Sequence, residues 1–130
     1  MSKLETIAPA RAAELVRQGA VLIDIRETNE HAHENIPGAP HHALSQIDAR
    51  HPVRAGDTVL IYHCKSGGRT NMNARRLASV SGNCDVYLLG GGIEAWKRAG
   101  LPTSASPARP AAAEAADQSG LLNKLTALFR

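Results

Sequence analysis

The sequence predicts an α/β domain with a mostly parallel central sheet flanked by helices on both faces. Three observations carry this. Short apolar runs rich in β-branched residues recur at 21–25, 58–63 and 84–89. Such runs suit strands buried on both faces, as parallel strands are. Segments with helical spacing alternate with them. The chain has 130 residues, the length of one domain.

Residues 9–18 read as the first helix. Pro9 suits its first turn, Ala12, Leu15 and Val16 recur at helical spacing, and Gly19 suits the position past its end. The first buried strand follows at 21–25. The second, at 58–63, comes after the turn-like Ala55-Gly56-Asp57. A helix is expected over 70–80, with Ala74, Leu77 and Ala78 on one face and Arg75 and Arg76 on another. The third strand, 84–89, is closed by Gly90-Gly91-Gly92, and a short helix follows over 93–99.

Near Pro102 the composition changes. Residues 1–103 form the expected domain. Residues 104–120 are rich in Ala, Pro and Ser and read as a flexible linker. In residues 121–130, Leu121, Leu122, Leu125, Leu128 and Phe129 share one helical face, which predicts a short amphipathic helix. A helix this short is marginal alone, so docking on the domain or on a partner is expected.

Composition excludes several function classes. Aromatics are 3%, too few for a stacking platform on single-stranded nucleic acid. The net charge of +3 is spread along the chain, so no nucleic-acid footprint is expected, while a small anionic ligand would be suited. No apolar run reaches the length of a membrane span, and the N-terminus has no signal-peptide core. Two cysteines, Cys64 and Cys84, cannot build a disulfide framework or a four-cysteine zinc site. A cytoplasmic location is expected.

The stretch from His63 to Thr70, HCKSGGRT, carries the chemistry. It joins a predicted strand to a predicted helix, at the carboxyl end of the sheet where α/β proteins bind ligands. This places Cys64 at an exposed strand end. Gly67 and Gly68 allow a tight loop whose N–H groups point inward, and Lys65 and Arg69 add positive charge. Such surroundings lower a thiol pKa and make the thiolate a nucleophile. A lone cysteine is commonly an inert core residue. The glycines, cations and placement argue otherwise for Cys64. Four residues separate Cys64 from Arg69, one fewer than in the cysteine-phosphatase signature. The smaller cradle suits one sulfur atom better than a phosphoryl group.

Cys64-Lys65-Ser66-Gly67-Gly68-Arg69 resembles the active loop of the rhodanese family, with Lys at the usual Arg position. The resemblance extends to residues 22–27 (LIDIRE), to 35–39 (NIPGA, with Asn35 where His is usual), and to 90–96 and 100–102. It implies a single-domain sulfurtransferase without metal or cofactor. Cys64 would take a sulfane sulfur from a donor such as thiosulfate and carry it as a persulfide. The acceptor would be cyanide or a thiol, or a protein sulfur acceptor. The loop N–H groups would hold the terminal sulfur and Lys65 would attract the donor. Arg69 would bind substrate or brace the loop by pairing with an acid. The alternatives are a persulfide carrier or binding module without efficient turnover, and a phosphatase or arsenate reductase on the same fold.

Asp24 and Arg26 end the first buried strand beside the same sheet edge and are expected to brace the loop; the alternatives are an anion contact by Arg26 and an ordinary ion pair at the strand end. The six histidines lack a metal-site pattern. His63 adjoins Cys64, but neighbours on a strand point to opposite faces. Cys84 is expected to be a structural thiol, and Trp96 a core residue.

Overall fold

The computed structural model describes residues 4–47 and 59–105. Four parallel strands form the main sheet: β1 (Leu4–Ile7), β2 (Val21–Asp24), β4 (Leu60–His63) and β5 (Val86–Leu89). Their spatial order is β1-β5-β4-β2. The two central strands are buried at every position, which is why both read as unbroken apolar runs.

Register puts Leu22, Ile61 and Tyr87 side by side, and Ile23, Tyr62 and Leu88 side by side. The first row faces α1 (Pro9–Arg17) and α5 (Gly92–Arg98), packing on Ala12, Leu15, Ile93 and Trp96. The second row faces α4 (Ala74–Ser79), packing on Leu77 and Val80. Helices therefore cover both faces, and each face has its own apolar cluster. Trp96 is a core residue, and its indole N–H donates to the Pro102 carbonyl at 2.8 Å.

Several boundaries differ from the sequence expectation. The helix expected over 70–80 is two helices, α3 (Gly68–Met72) and α4, broken at Asn73. Asn73 has φ −113° and ψ 18°, and its side-chain amide donates to the Arg69 carbonyl. Asparagine commonly competes with the helix in this way. The third strand starts at Val86, so Cys84 lies before it. Two further elements join the site: α2 (Thr28–His33) and β3 (Glu34–Asn35). β3 pairs antiparallel with β6 (Ser104–Ala105), so the first two residues of the expected linker are held against the domain. The rest of that linker and the 121–130 helix lie outside the described residues.

Candidate active site

The chain leaves β4 at His63 and turns at once into the loop 64–68, which feeds α3. Cys64 lies at the strand end as expected, but it is not exposed. Its exposure is 1%, because the loop folds over the side chain. The turn depends on Gly67, whose φ of +99° is a left-handed conformation that suits glycine. The Gly67 N–H then donates to Cys64 Sγ at 3.1 Å. The Thr70 hydroxyl sits 3.9 Å from the sulfur and bonds the Gly67 carbonyl at 3.1 Å. Burial pushes the Cys64 thiol up, but the N–H groups of Thr70, Gly67 and Arg69 and the Thr70 hydroxyl outweigh it. The net pKa lies below the ordinary thiol value.

The loop is shaped from outside by the start of α5. The Ile93 N–H donates to the Cys64 carbonyl at 2.9 Å, and the Glu94 N–H to the Lys65 carbonyl at 3.1 Å. With those carbonyls turned toward α5, the N–H groups of the loop are left to face the sulfur. So close an approach needs glycine at 92: a Cβ there would lie 2.5 Å from the Cys64 and Lys65 carbonyl oxygens. In the sequence Gly92 was visible as part of a strand-ending glycine run and of the 90–96 resemblance, but not as a neighbour of the Cys64 loop. Its contact with the loop joins residues far apart in the chain.

Arg69 does not point at the sulfur. It forms a two-pronged bond to Glu30 of α2, at 2.7 and 2.9 Å. Arg69 holds the Glu30 carboxyl down to about 2 against the effect of burial. Pairing with an acid is one of the two uses anticipated for Arg69, and Glu30 is the acid that the sequence did not single out. The available signal was the Glu27-x-x-Glu30 spacing, which is here a capping box at the start of α2.

Asp24 and Arg26 form an ion pair. Both are buried, with Arg26 Nη2 at 2.9 Å and Nε at 3.0 Å from the two carboxylate oxygens. Arg26 also donates to the Glu34 carbonyl, so β2 is tied to β3. His31 Nδ1 lies 2.9 Å from Asp24. Burial raises the Asp24 carboxyl, but Arg26, His63 and His31 bring it down to about 2. His63 is fully buried beside Asp24, and its Nδ1 lies 3.1 Å from the Cys64 carbonyl. Burial lowers the imidazole pKa despite the nearby carboxylate. The side chain turns to the Asp24 side of the sheet, and the cysteine to the other, as strand alternation requires.

Lys65 and Ser66 are exposed. Lys65 lines a cavity of about 220 Å³ with Arg26, Glu34, Glu94 and Lys97. Gly68 opens α3 and is exposed. Cys64 and Cys84 form no disulfide, and both belong to the cluster around Tyr62. Among the described residues, no group of His, Cys, Asp and Glu is arranged to hold a metal ion, and no helix is long and apolar enough to cross a membrane.

The fold and this site define a class: α/β proteins with a cysteine cradled by main-chain N–H groups just past a central parallel strand. The chain belongs to the family of the rhodanese-like domain, whose model matches residues 8–99. Among curated relatives, a thiosulfate sulfurtransferase GlpE of Pseudomonas fluorescens is 34% identical over 100 residues, covering 75% of this chain and 88% of the relative. Among solved structures, the rhodanese-like domain of an Anabaena protein, Alr3790, superposes with a TM-score of 0.69 at 19% identity, covering 91% of this chain and 93% of its own. A thiosulfate sulfurtransferase of Pseudomonas aeruginosa gives a TM-score of 0.65 at 28% identity, over 80% of this chain and 20% of that longer one.

Proposed function

We propose that the protein is a thiosulfate sulfurtransferase that works through a persulfide on Cys64. The observation that carries the reading is the bond from the Gly67 N–H to Cys64 Sγ at 3.1 Å, within a loop whose outer carbonyls are held by α5. A lowered thiol pKa keeps more of Cys64 as the thiolate near neutrality. The thiolate attacks the outer sulfur of thiosulfate, forming an S–S bond while the S–S bond of thiosulfate breaks. Sulfite leaves with the electron pair of the broken bond. Cys64 then carries an anionic terminal sulfur, for which inward N–H groups are the matched donors. In the second half, cyanide or a thiolate attacks that terminal sulfur and Cys64 leaves as the thiolate. No metal, cofactor or external oxidant is needed to balance either half.

The exposed ammonium of Lys65 supplies the positive charge that draws the thiosulfate dianion to the loop. Arg69, already paired with Glu30, acts on the loop and not on substrate. Asp24 and Arg26 support the same loop from β2. A reducing compartment such as the cytoplasm keeps both thiols reduced.

The test is thiocyanate formation from thiosulfate and cyanide. The protein turns over with ping-pong kinetics, and Cys64→Ser reduces the rate at least a thousandfold while remaining folded. Adduct formation that passes sulfur only to a protein acceptor would instead favour the carrier reading. Turnover of an aryl phosphate or arsenate without sulfur transfer would replace the proposal with the reductase or phosphatase reading.

A further inference from the structure

An apolar groove of about 340 Å³ lies between α1, the segment after β3 and the end of the domain. Ala13, Val16, Leu22, Ile36, Trp96 and Pro102 are among its walls. It is distinct from the loop that carries Cys64. The groove touches Val21 and Leu22, which pair with Leu60 and Ile61 at the amino ends of β2 and β4. Cys64 follows the carboxyl end of β4. Among the described residues, Val16 is one of the few large apolar side chains left exposed, at 38%, and it sits in the groove wall. The activity proposed above gives this groove no role.

We propose that the groove is the docking site for the chain's own amphipathic segment, residues 121–130. Three observations single out this occupant. The segment gathers Leu121, Leu122, Leu125, Leu128 and Phe129 on one helical face, with Asn123, Lys124 and Thr126 off it. This apolar face matches a groove with apolar walls. A ten-residue helix is marginal in water and gains stability chiefly by burying such a face.

The second observation is where the chain leaves the domain. Leu101 and Pro102 are themselves groove walls, and β6 is fixed to β3 directly after them. The segment is therefore tethered next to the surface it would cover. The third is length. Residues 106–120 extend at most about 50 Å, at ~3.3–3.6 Å per residue, enough to return from β6 to the groove. A tether of this length holds the segment at an effective concentration on the order of millimolar. A second copy or another protein at micromolar levels competes poorly with that.

The test uses the full chain. Trp96, the single tryptophan of the sequence, lies in the groove wall and reports on its occupation. Hydrogen exchange of the amides in 121–130 should be slowed at least tenfold relative to an unstructured peptide, in a protein that is monomeric by light scattering. Leu125→Asp in the segment, and Val16→Glu in the groove wall, should each abolish that protection and shift the Trp96 emission. Leu125→Asp should leave thiocyanate formation unchanged. Exchange at the unstructured rate in the unmodified chain would overturn the proposal, and so would protection that survives both substitutions. Protection seen only in a concentration-dependent dimer would assign the groove to a second copy. Protection seen only with vesicles of phosphatidylcholine and phosphatidylserine would assign the segment to a membrane surface. Either result replaces the tethered occupant.

Discussion

The main-chain groups around Cys64 are positioned by contacts at the far side of its loop. Gly92 has φ +60°, and a Cβ there would meet the Cys64 carbonyl oxygen and the Lys65 carbonyl at 2.5 Å. A methyl group must displace the backbone that aims the loop N–H groups, at a cost of about 1–3 kcal/mol in backbone strain alone. Gly92→Ala should therefore lower kcat/KM for thiosulfate at least tenfold and raise the thiol pKa. The pH dependence of iodoacetamide alkylation at Cys64 measures the second effect. Unchanged alkylation in a folded Gly92→Ala protein would separate Gly92 from the nucleophile. At this scale the cysteine, its glycines and its cations were legible in the sequence, because they are adjacent in the chain. The burial of Cys64 and the partners Glu30 and Gly92 were not, because they come from other elements.

Each element was legible to the degree that it buries an apolar pattern. β2, β4, β5, α1 and α5 all carry buried residues, and all were visible as apolar runs or helical spacing. α2 buries none of its residues and is fixed by its capping box, so it has no apolar period to read. β1 is an edge strand with a mostly exposed pattern, and β3 and β6 are two residues each. Such elements are specified by pairing, which a local sequence does not display. α4 is the opposite case. Leu77, fully buried against the β4 and β5 face, is its one buried side chain. Leu77→Ala should destabilise the domain by about 2–5 kcal/mol, read from the urea midpoint. A loss below about 1 kcal/mol would mean that α4 contributes little to covering that face.

For the molecule as a whole, the paired carboxylates behind the Cys64 loop, one buried and one half-buried, set an acid limit. The Asp24 and Glu30 carboxyls are both held at about 2, below their ordinary values of 3.8 and 4.5. The unfolded chain therefore binds more protons than the folded one between those values. The stability these groups supply is complete above about pH 5 and is lost as pH falls toward 2. For fully buried Asp24 the contribution is on the order of 2 kcal/mol. Urea titrations at pH 7, 4 and 3 should show that fall, and Glu30→Gln should flatten part of it. A stability profile level from pH 7 to pH 3 would mean that the Asp24–Arg26 and Glu30–Arg69 pairs do not stabilise the fold. These pairs join β2, α2 and α3 around one loop, so they bear on both the fold and the site.

In the proposed reaction the N–H groups around Cys64 hold an anionic sulfur. The most direct measurement is the intact mass of the protein after brief exposure to thiosulfate and removal of excess reagent. A gain of one sulfur atom is expected, mapped to Cys64, absent in Cys64→Ser and removed by cyanide. An unchanged mass with thiosulfate and with other sulfane donors, in a folded protein with Cys64 reduced, would contradict it.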